Sequence, residues 1–594
     1  MIINQRLQQL RANMKKSGFD AVILPSNDPH QSEYVCDHWK IRAYFSGFSG
    51  SAGTLIVTQE TAAIWTDSRY FLQAEKQCAN NEVELQKQKI PHAPEHIPWL
   101  CQKLPADSVI GVDYRLFSLS QHDYLQQFAA PKNIQIQAIG DLIDTVWTDR
   151  PSLPNTPIID HDVVYCGMNR AAKIVQLRNV LEEKKADYLL ISALDEIAWA
   201  FNIRASDINY TPLPIAYALV GKETCTIFAN KNRFDNKLAK ELESESIQIS
   251  DYANIFSALK NINKTAKILT DGSNLNYASS NTIQGEILLS PSFIRQEKAI
   301  KNPTEIAHIK KCMIKDGVAL TRLYIWLEKE LLKRGIKETE IARVLASFRQ
   351  EQADYKGESF AAIVGYNANG AIIHYTAQED TCATVKNEGI LLLDSGGQYI
   401  NGTTDITRTI ALSEPTAIQK RDFTLVLKGY IGLETMHFPK GTVGMQLDTI
   451  ARMHLWKNNQ NFGHGTGHGV GFYALVHEAP QGFAANTVTS RGTSPMLANM
   501  LTSNEPGFYK PGEYGIRMEN LILSKEITSN EFGTFLGFEA VTLCYVDTTL
   551  IDFDLMEKAE VDWLNAYHQK VLDELLPHLE ADEKEWLMDK CKKQ

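Results

Sequence analysis

The sequence predicts a multidomain protein of mixed α/β and α+β class: two α/β domains built alike, at residues 1–150 and 151–300, then an α+β domain at 301–594. Three observations predict it. At 594 residues the chain is too long for one hydrophobic core. Residues of the first thirty positions recur at a constant offset of 167. From Asn302 onward, a capped long helix opens an alternation of helices and strands, with carboxylates and histidines at the ends of short apolar runs.

The first domain starts with a helix pattern (Leu7, Leu10, Met14) leading through Gly18 into the strand Ala21-Val22-Ile23-Leu24. Strands follow at Thr54–Val57 and from Ala62. The Gly/Ser run Ser46–Gly53 lacks the Gly-Lys-Ser/Thr ending of a phosphate loop and reads as a tight turn before a strand. Pro151, Pro154 and Pro157 mark a linker. Beyond it Leu10-Arg11, Asp20 and Asp28 return as Leu177-Arg178, Asp187 and Asp195, and Ala21–Leu24 returns as Tyr188–Ile191. A fixed offset across helix, strand and loop argues for duplication. Neither copy carries a cluster with evident chemistry, so their part is shape and assembly.

Asn302-Pro303-Thr304-Glu305 is a helix start with cap, proline and capping-box glutamate. Helical spacing continues through Ile309, Met313, Val318, Leu323 and Leu327. The tail, 556–592, alternates Leu/Trp with Glu/Lys at helical spacing and closes the chain with helix. Trp456, near His464, reads as a core tryptophan in preference to an interface anchor.

The totals exclude several classes. A formal charge of -11 argues against nucleic acid and anionic membrane surfaces as partners. No apolar run approaches the roughly eighteen residues that span a bilayer, and the N-terminus lacks the apolar core of a signal peptide. Nine scattered cysteines without a CxxC pair read as reduced, mostly buried thiols of a cytoplasmic protein.

The chemistry concentrates between Asp394 and Glu519. Ile390–Leu393 is a buried strand, and an aspartate at its end needs a partner. Asp405 opens the next strand. A two-residue Asn401-Gly402 turn sets Asp405 opposite Gln398, so bringing the two aspartates together calls for an irregular, bulged hairpin, which Gly396-Gly397 permits. Glu505 and Glu519 are symmetric about Gly512. A turn at Lys510–Glu513 sets them face to face. Arg517 shares a strand face with Glu519 and can orient a carboxylate of the cluster; it also stands among the substrate-site candidates. His374, His464, His468 and His477 complete the set, and the glycines around His464 and His468 argue against a helical pair. Four carboxylates and one imidazole suit two hard or borderline divalent cations, manganese before zinc or cobalt. Two such ions about 3.5–4 Å apart can share a water and make it a hydroxide nucleophile near neutral pH. Spacing alone therefore predicts a two-metal hydrolase.

These motifs resemble the creatinase-like "pita-bread" metallopeptidases, among them the three-domain X-Pro aminopeptidases. The resemblance rests on Ile372–Tyr375, Asp394–Tyr399, Gly402–Thr409, His464–Gly471, Val476–Glu478, Glu505–Gly507 and Gly515–Asn520. Outside the catalytic part, Ser46–Thr54, Trp65–Gln73 and Ala193–Trp199 resemble the two creatinase-like N-terminal domains. It implies a C-terminal pita-bread domain with Asp394, Asp405, His468, Glu505 and Glu519 as metal ligands. Glu505 would also be the proton shuttle, with His374, His464 and His477 at the substrate site. It further implies hydrolysis of the bond before a proline at the second position of a peptide, manganese activation, a homodimer, and N-terminal domains that limit access. An Xaa-Pro dipeptidase and a non-catalytic peptide-binding module are the alternatives. The duplicated domain disfavours the first and the complete ligand set the second.

Overall fold

The computed structural model describes residues 2–594. The chain divides into two compact units. The first takes residues up to Val163 with Met168–Ile294, and the second takes Val164–Gly167 with Arg295–Gln594.

The first unit holds two six-stranded sheets of one topology. In spatial order the first is Val83–Lys87, Ala62–Thr66, Thr54–Thr58, Ala21–Pro25, Val109–Val112 and Gln135–Ala138. The second is Gln248–Ser250, Cys225–Phe228, Tyr217–Gly221, Tyr188–Ile191, Lys267–Thr270 and Glu286–Leu289. Parallel and antiparallel pairs fall at the same places in both. Two residue pairs at the 167 offset do the same work in each copy. The carboxylates of Asp20 and Asp187 accept the N–H that opens the neighbouring parallel strand, from Val109 at 2.7 Å and Lys267 at 2.9 Å. Arg11 and Arg178 donate to the carbonyl that ends the adjacent antiparallel strand, Thr58 at 2.9 Å and Gly221 at 3.3 Å. Buried backbone groups must find partners, and the echo in the sequence records one solution used twice. The run Ser46–Gly53 wraps a cation of the chain itself: buried Arg42 donates to the carbonyls of Phe48 and Gly50.

The second unit opens with the 29-residue helix Pro303–Leu331. Asn302 Oδ1 accepts the Glu305 N–H at 3.0 Å, and the Glu305 carboxylate accepts the Asn302 N–H at 2.9 Å, closing the capping box. Its apolar stripe shares one continuous core with an antiparallel three-stranded sheet, Ile363–Tyr366, Ile390–Ser395 and Ile406–Ala411. A six-stranded antiparallel sheet runs Phe438–Pro439, Gly533–Ala540, Asn520–Asn530, Leu501–Asn504, Gly467–Gly469 and Glu478–Phe483. The tail forms helices Lys558–Leu575 and Ala581–Lys590. All nine cysteines are free, and eight are buried.

Trp456 is not a core residue. It ends helix Gly444–Trp456, whose buried stripe is Leu447, Ala451 and Leu455, and one further residue turns the chain outward. The residue is 45% exposed, and its indole N–H donates to Asn461 Oδ1 at 3.1 Å.

Helix Ala417–Glu434 lies against Gly444–Trp456 so closely that a Cβ on Gly429 would sit 2.1 Å from the Ala451 carbonyl oxygen. The next residue, Tyr430, accepts Asn504 Nδ2 on its carbonyl at 3.0 Å and Asn520 Nδ2 on its hydroxyl at 2.7 Å. Those asparagines adjoin Glu505 and Glu519, so the contact of the two helices sets the depth of the site. Gly429→Ala is expected to destabilise the second unit by about 1–3 kcal/mol, read as a lower thermal midpoint. A variant as stable as the parent contradicts the close approach.

Candidate metal centre

Two antiparallel hairpins and one short strand bring the site together. In the first hairpin Asp394 opposes Thr407 and Ser395 opposes Ile406, while nearer the tip Gln398 opposes Thr403 and Tyr399 opposes Gly402. The register is constant, so the expected bulge is not there. The turn residues are Ile400 and Asn401, one position earlier than the Asn401-Gly402 dipeptide implied. Pairing lapses only around Gly396, where a Cβ would lie 2.0 Å from the Thr404 carbonyl oxygen. The chain thus changes sheet there without changing step. Asp405, two residues from Thr407, is the diagonal neighbour of Asp394 on the same face, within carboxylate reach.

The second hairpin follows the symmetry read from the sequence. Gly507 opposes Arg517 and Lys510 opposes Tyr514, while beyond the ligands Asn504 opposes Asn520 and Leu501 opposes Leu523. The same count sets Glu505 opposite Glu519. His468 sits in the strand Gly467–Gly469, and its N–H is held by Ser503 Oγ at 3.0 Å. Its Nδ1 lies 3.0 Å from the Gly469 carbonyl oxygen, which can only accept, so Nδ1 carries the proton. Nε2 then turns its lone pair toward Asp405 Oδ2 and Glu505 Oε1, each at 3.5 Å.

Ligand atoms of Asp405, His468 and Glu519 lie within 4.8 Å of one another. Arg517 donates to Asp394 Oδ2 at 2.6 Å and, through Nε, to Thr407 Oγ1 at 3.1 Å; Thr407 in turn donates to Glu519 Oε2 at 2.7 Å. One guanidinium thereby orients one aspartate directly and one glutamate through a hydroxyl. Burial, then Asp394 and Glu505, push Asp405 well above the usual carboxylate range. Burial, then Asp405 and Glu505, do the same to Glu519. Burial lifts Glu505 to about 7; Arg517 pulls it down and Asp394 raises it again. Glu505 is the most accessible of the pair it forms with His468, with 17% of its side chain exposed.

The donor set fits divalent cations. Asp394 Oδ1 is buried without a hydrogen-bond partner while its other oxygen is held by Arg517. A buried carboxylate oxygen left so needs a cation. His468 presents a lone pair, and the clustered carboxylates present repelling charge that cations would neutralise.

The remaining histidines lie at the margin. His477 meets the His468 ring edge-on, centroids 4.3 Å apart. His464 Nε2 is 2.8 Å from Tyr509 Oη, which also accepts Arg517 Nη1 at 2.6 Å. His374 follows Ile373, whose carbonyl oxygen lies 3.5 Å from Arg517 Nη2. Tyr509 and the hydroxyl of Thr407 escaped the reading by residue type. The period-two face that holds Glu505, Gly507 and Tyr509 opposite Gly515, Arg517 and Glu519 was the available signal for Tyr509. Gly507 leaves room for it, since a Cβ there would lie 2.4 Å from Tyr509 Oη.

Residues 6–146 and 149–305 each match the creatinase/prolidase N-terminal domain, residues 307–526 match metallopeptidase family M24, and 534–594 match the C-terminal region of peptidase M24. A probable Xaa-Pro aminopeptidase P of Laccaria bicolor is 39% identical over 99% of this chain and 93% of its own length. X-prolyl aminopeptidase from Caenorhabditis elegans, described as a cytosolic enzyme with a di-nuclear active site, superposes with a TM-score of 0.96 at 34% identity over 100% of both chains. An Xaa-Pro dipeptidase from Bacillus anthracis shares the fold over 63% of this chain and 98% of its own, with a TM-score of 0.50 at 23% identity.

A pH-dependent metal effect follows from the raised carboxylates. Glu505 holds its proton up to about 7 in the metal-free fold, against about 4.3 in the unfolded chain. Between those values the folded state binds more protons, so metal-free stability falls as pH rises. A divalent cation takes over the proton's part. Adding manganese is therefore expected to raise the melting temperature more at pH 7.5 than at pH 5, with protons released on binding at pH 6. Equal increments at both pH values contradict this.

Proposed function

The chain belongs to metallopeptidase family M24, and on that premise we propose that it is an aminopeptidase removing the first residue from peptides with proline at the second position. The observation that carries this is the convergence of Asp405, His468 and Glu519, with Glu505 Oε1 3.5 Å from His468 Nε2 and Asp394 Oδ1 buried without a hydrogen-bond partner, in a chain similar end to end to proteins named Xaa-Pro aminopeptidase.

Those five residues would hold two divalent cations, manganese by preference for a carboxylate-rich set, which when bound supply a Lewis acid and an acidified water. Glu505 takes a proton from the attacking water and returns it to the leaving proline nitrogen. A bond to proline nitrogen has no N–H, so recognition must rest on the ring, the carbonyl and the free amine. His374, His464 and His477 line that space, where an imidazole N–H can meet the carbonyl oxygen as charge develops on it. Arg517 is committed to Asp394, Thr407 and Tyr509. We assign it to positioning the ligands rather than to substrate. Tyr509 joins it to His464, so a shift of that histidine is felt at Asp394.

The reading includes a cytoplasmic location, supported by the similarity to a protein described as cytosolic, and a homodimer. No helix among the described residues is long and apolar enough to cross a membrane. Dipeptidase activity is the second reading; a dipeptidase of Bacillus anthracis shares the fold over 63% of this chain.

Hydrolysis of Xaa-Pro peptides of two, three and nine residues, with and without manganese, tests the assignment. Cleavage of Arg-Pro-Pro and of the nonapeptide between the first two residues is expected; activity confined to dipeptides selects the second reading. Glu505→Ala is expected to lower kcat at least about 100-fold, and a variant with near-parental activity in manganese refutes the role given to Glu505. Tyr509→Phe is expected to lower kcat about 10-fold, because it breaks one hydrogen-bonded link between His464 and Arg517. Unchanged kcat removes that link from the mechanism.

A further inference from the structure

His477 leads directly into strand Glu478–Phe483, and the first residue of that strand carries an ion cluster that the reaction as derived does not use. Lys298 Nζ lies 3.0 Å from Glu478 Oε1 and Lys301 Nζ lies 2.5 Å from Oε2, with all three side chains at most 2% exposed. Lys301 Nζ also donates to the Lys298 carbonyl at 2.8 Å, and the Lys301 N–H donates to the Asn499 carbonyl at 2.8 Å. Along the backbone Glu478 pairs with Gly469, the residue after His468.

Two ammonium groups buried on one carboxylate are a poor way to stabilise a fold. Each charge loses its hydration, and apolar residues of similar volume fill such a space without that loss. What the cluster supplies is orientation. With each oxygen held by its own cation, the carboxylate plane cannot turn, and Glu478 is fixed at the point from which His477 projects. The other end of the segment is held as well. Gln398 Nε2 donates to the Ala474 carbonyl at 2.7 Å, and Thr403 Oγ1 accepts the Ala474 N–H at 3.3 Å. Gln398 and Thr403 face each other in the hairpin that carries Asp394 and Asp405.

We propose that Glu478, Lys298 and Lys301 form a clamp that positions His477 for peptide hydrolysis. The three are positioning residues and act through the histidine. The inference rests on His477 being a substrate-site residue, as proposed above.

A double-mutant comparison tests it. The charge-free triple variant Lys298→Met/Glu478→Leu/Lys301→Met and the single variant Glu478→Gln are each measured on Arg-Pro-Pro in manganese, with His477 intact and with His477→Ala. With His477 intact, kcat is expected to fall about 100-fold, the size of effect that a misplacement near 1 Å produces. KM and bound metal should stay at parental values. In the His477→Ala background the same changes are expected to cost less than about threefold, because the group they position is gone. Equal losses in the two backgrounds overturn the clamp and leave the histidine reading standing. If His477→Ala alone keeps parental kcat, the histidine reading falls and the clamp falls with it. Should the triple variant not fold, Glu478→Gln, which keeps the shape of the carboxylate, decides by the same comparison.

Discussion

Four carboxylates gathered where water is scarce repel one another, and much of the second unit is arranged to hold them there. Loops would relax apart under that repulsion, so the four carboxylates sit in or beside antiparallel ladders whose hydrogen bonds and buried faces resist it. Asp394 is the penultimate residue of a strand of wholly buried residues. Glu505 and Glu519 lie between two stretches of one ladder, flanked by Asn504 and Asn520 and tied through both to Tyr430. Arg517 and Thr407 turn individual carboxylates inward. The same strain makes the site receptive to divalent cations, because its charges are unfavourable until something positive lies between them.

What was legible in the sequence was whatever depends on counting along one chain. The facing of Glu505 and Glu519 needs only a turn and a period of two. The capping box at Asn302 and the helical tail need only local spacing. The step of the first hairpin was misread because a turn preference was weighed above strand pairing. Six consecutive pairs between Ile390–Ser395 and Ile406–Ala411, nearly all buried, outweigh the preference of one Asn-Gly dipeptide. Trp456 was misread for a related reason, since whether a tryptophan at a helix end is covered depends on which way that last turn faces. Thr407 acts through partners more than a hundred residues away, and no local pattern announces it; Tyr509 was signalled only by the period-two face it shares with Glu505 and Gly507.

The N-terminal unit shows the opposite case. Its function is not written in any cluster of reactive groups, yet its construction is unusually readable, because an arginine and an aspartate recur at one offset and do the same jobs. Asp20 and Asp187 dock the parallel neighbour, while Arg11 and Arg178 secure the end of the antiparallel one. Repetition makes a structural role recognisable where a single copy would have suggested a charged surface.

One register runs through the second hairpin from Leu501 to Lys510 and back from Tyr514 to Leu523. The two glutamates are therefore locked to each other by parity. Extra residues inserted beyond Lys510 lengthen the tip and leave both glutamates facing inward. A single residue inserted between Lys510 and Glu505 turns one glutamate to the opposite face of its strand and leaves the other in place. Length variation is thus harmless at the tip and fatal a few positions below it, which divides this stretch into a tolerant cap and a base that cannot be edited one residue at a time.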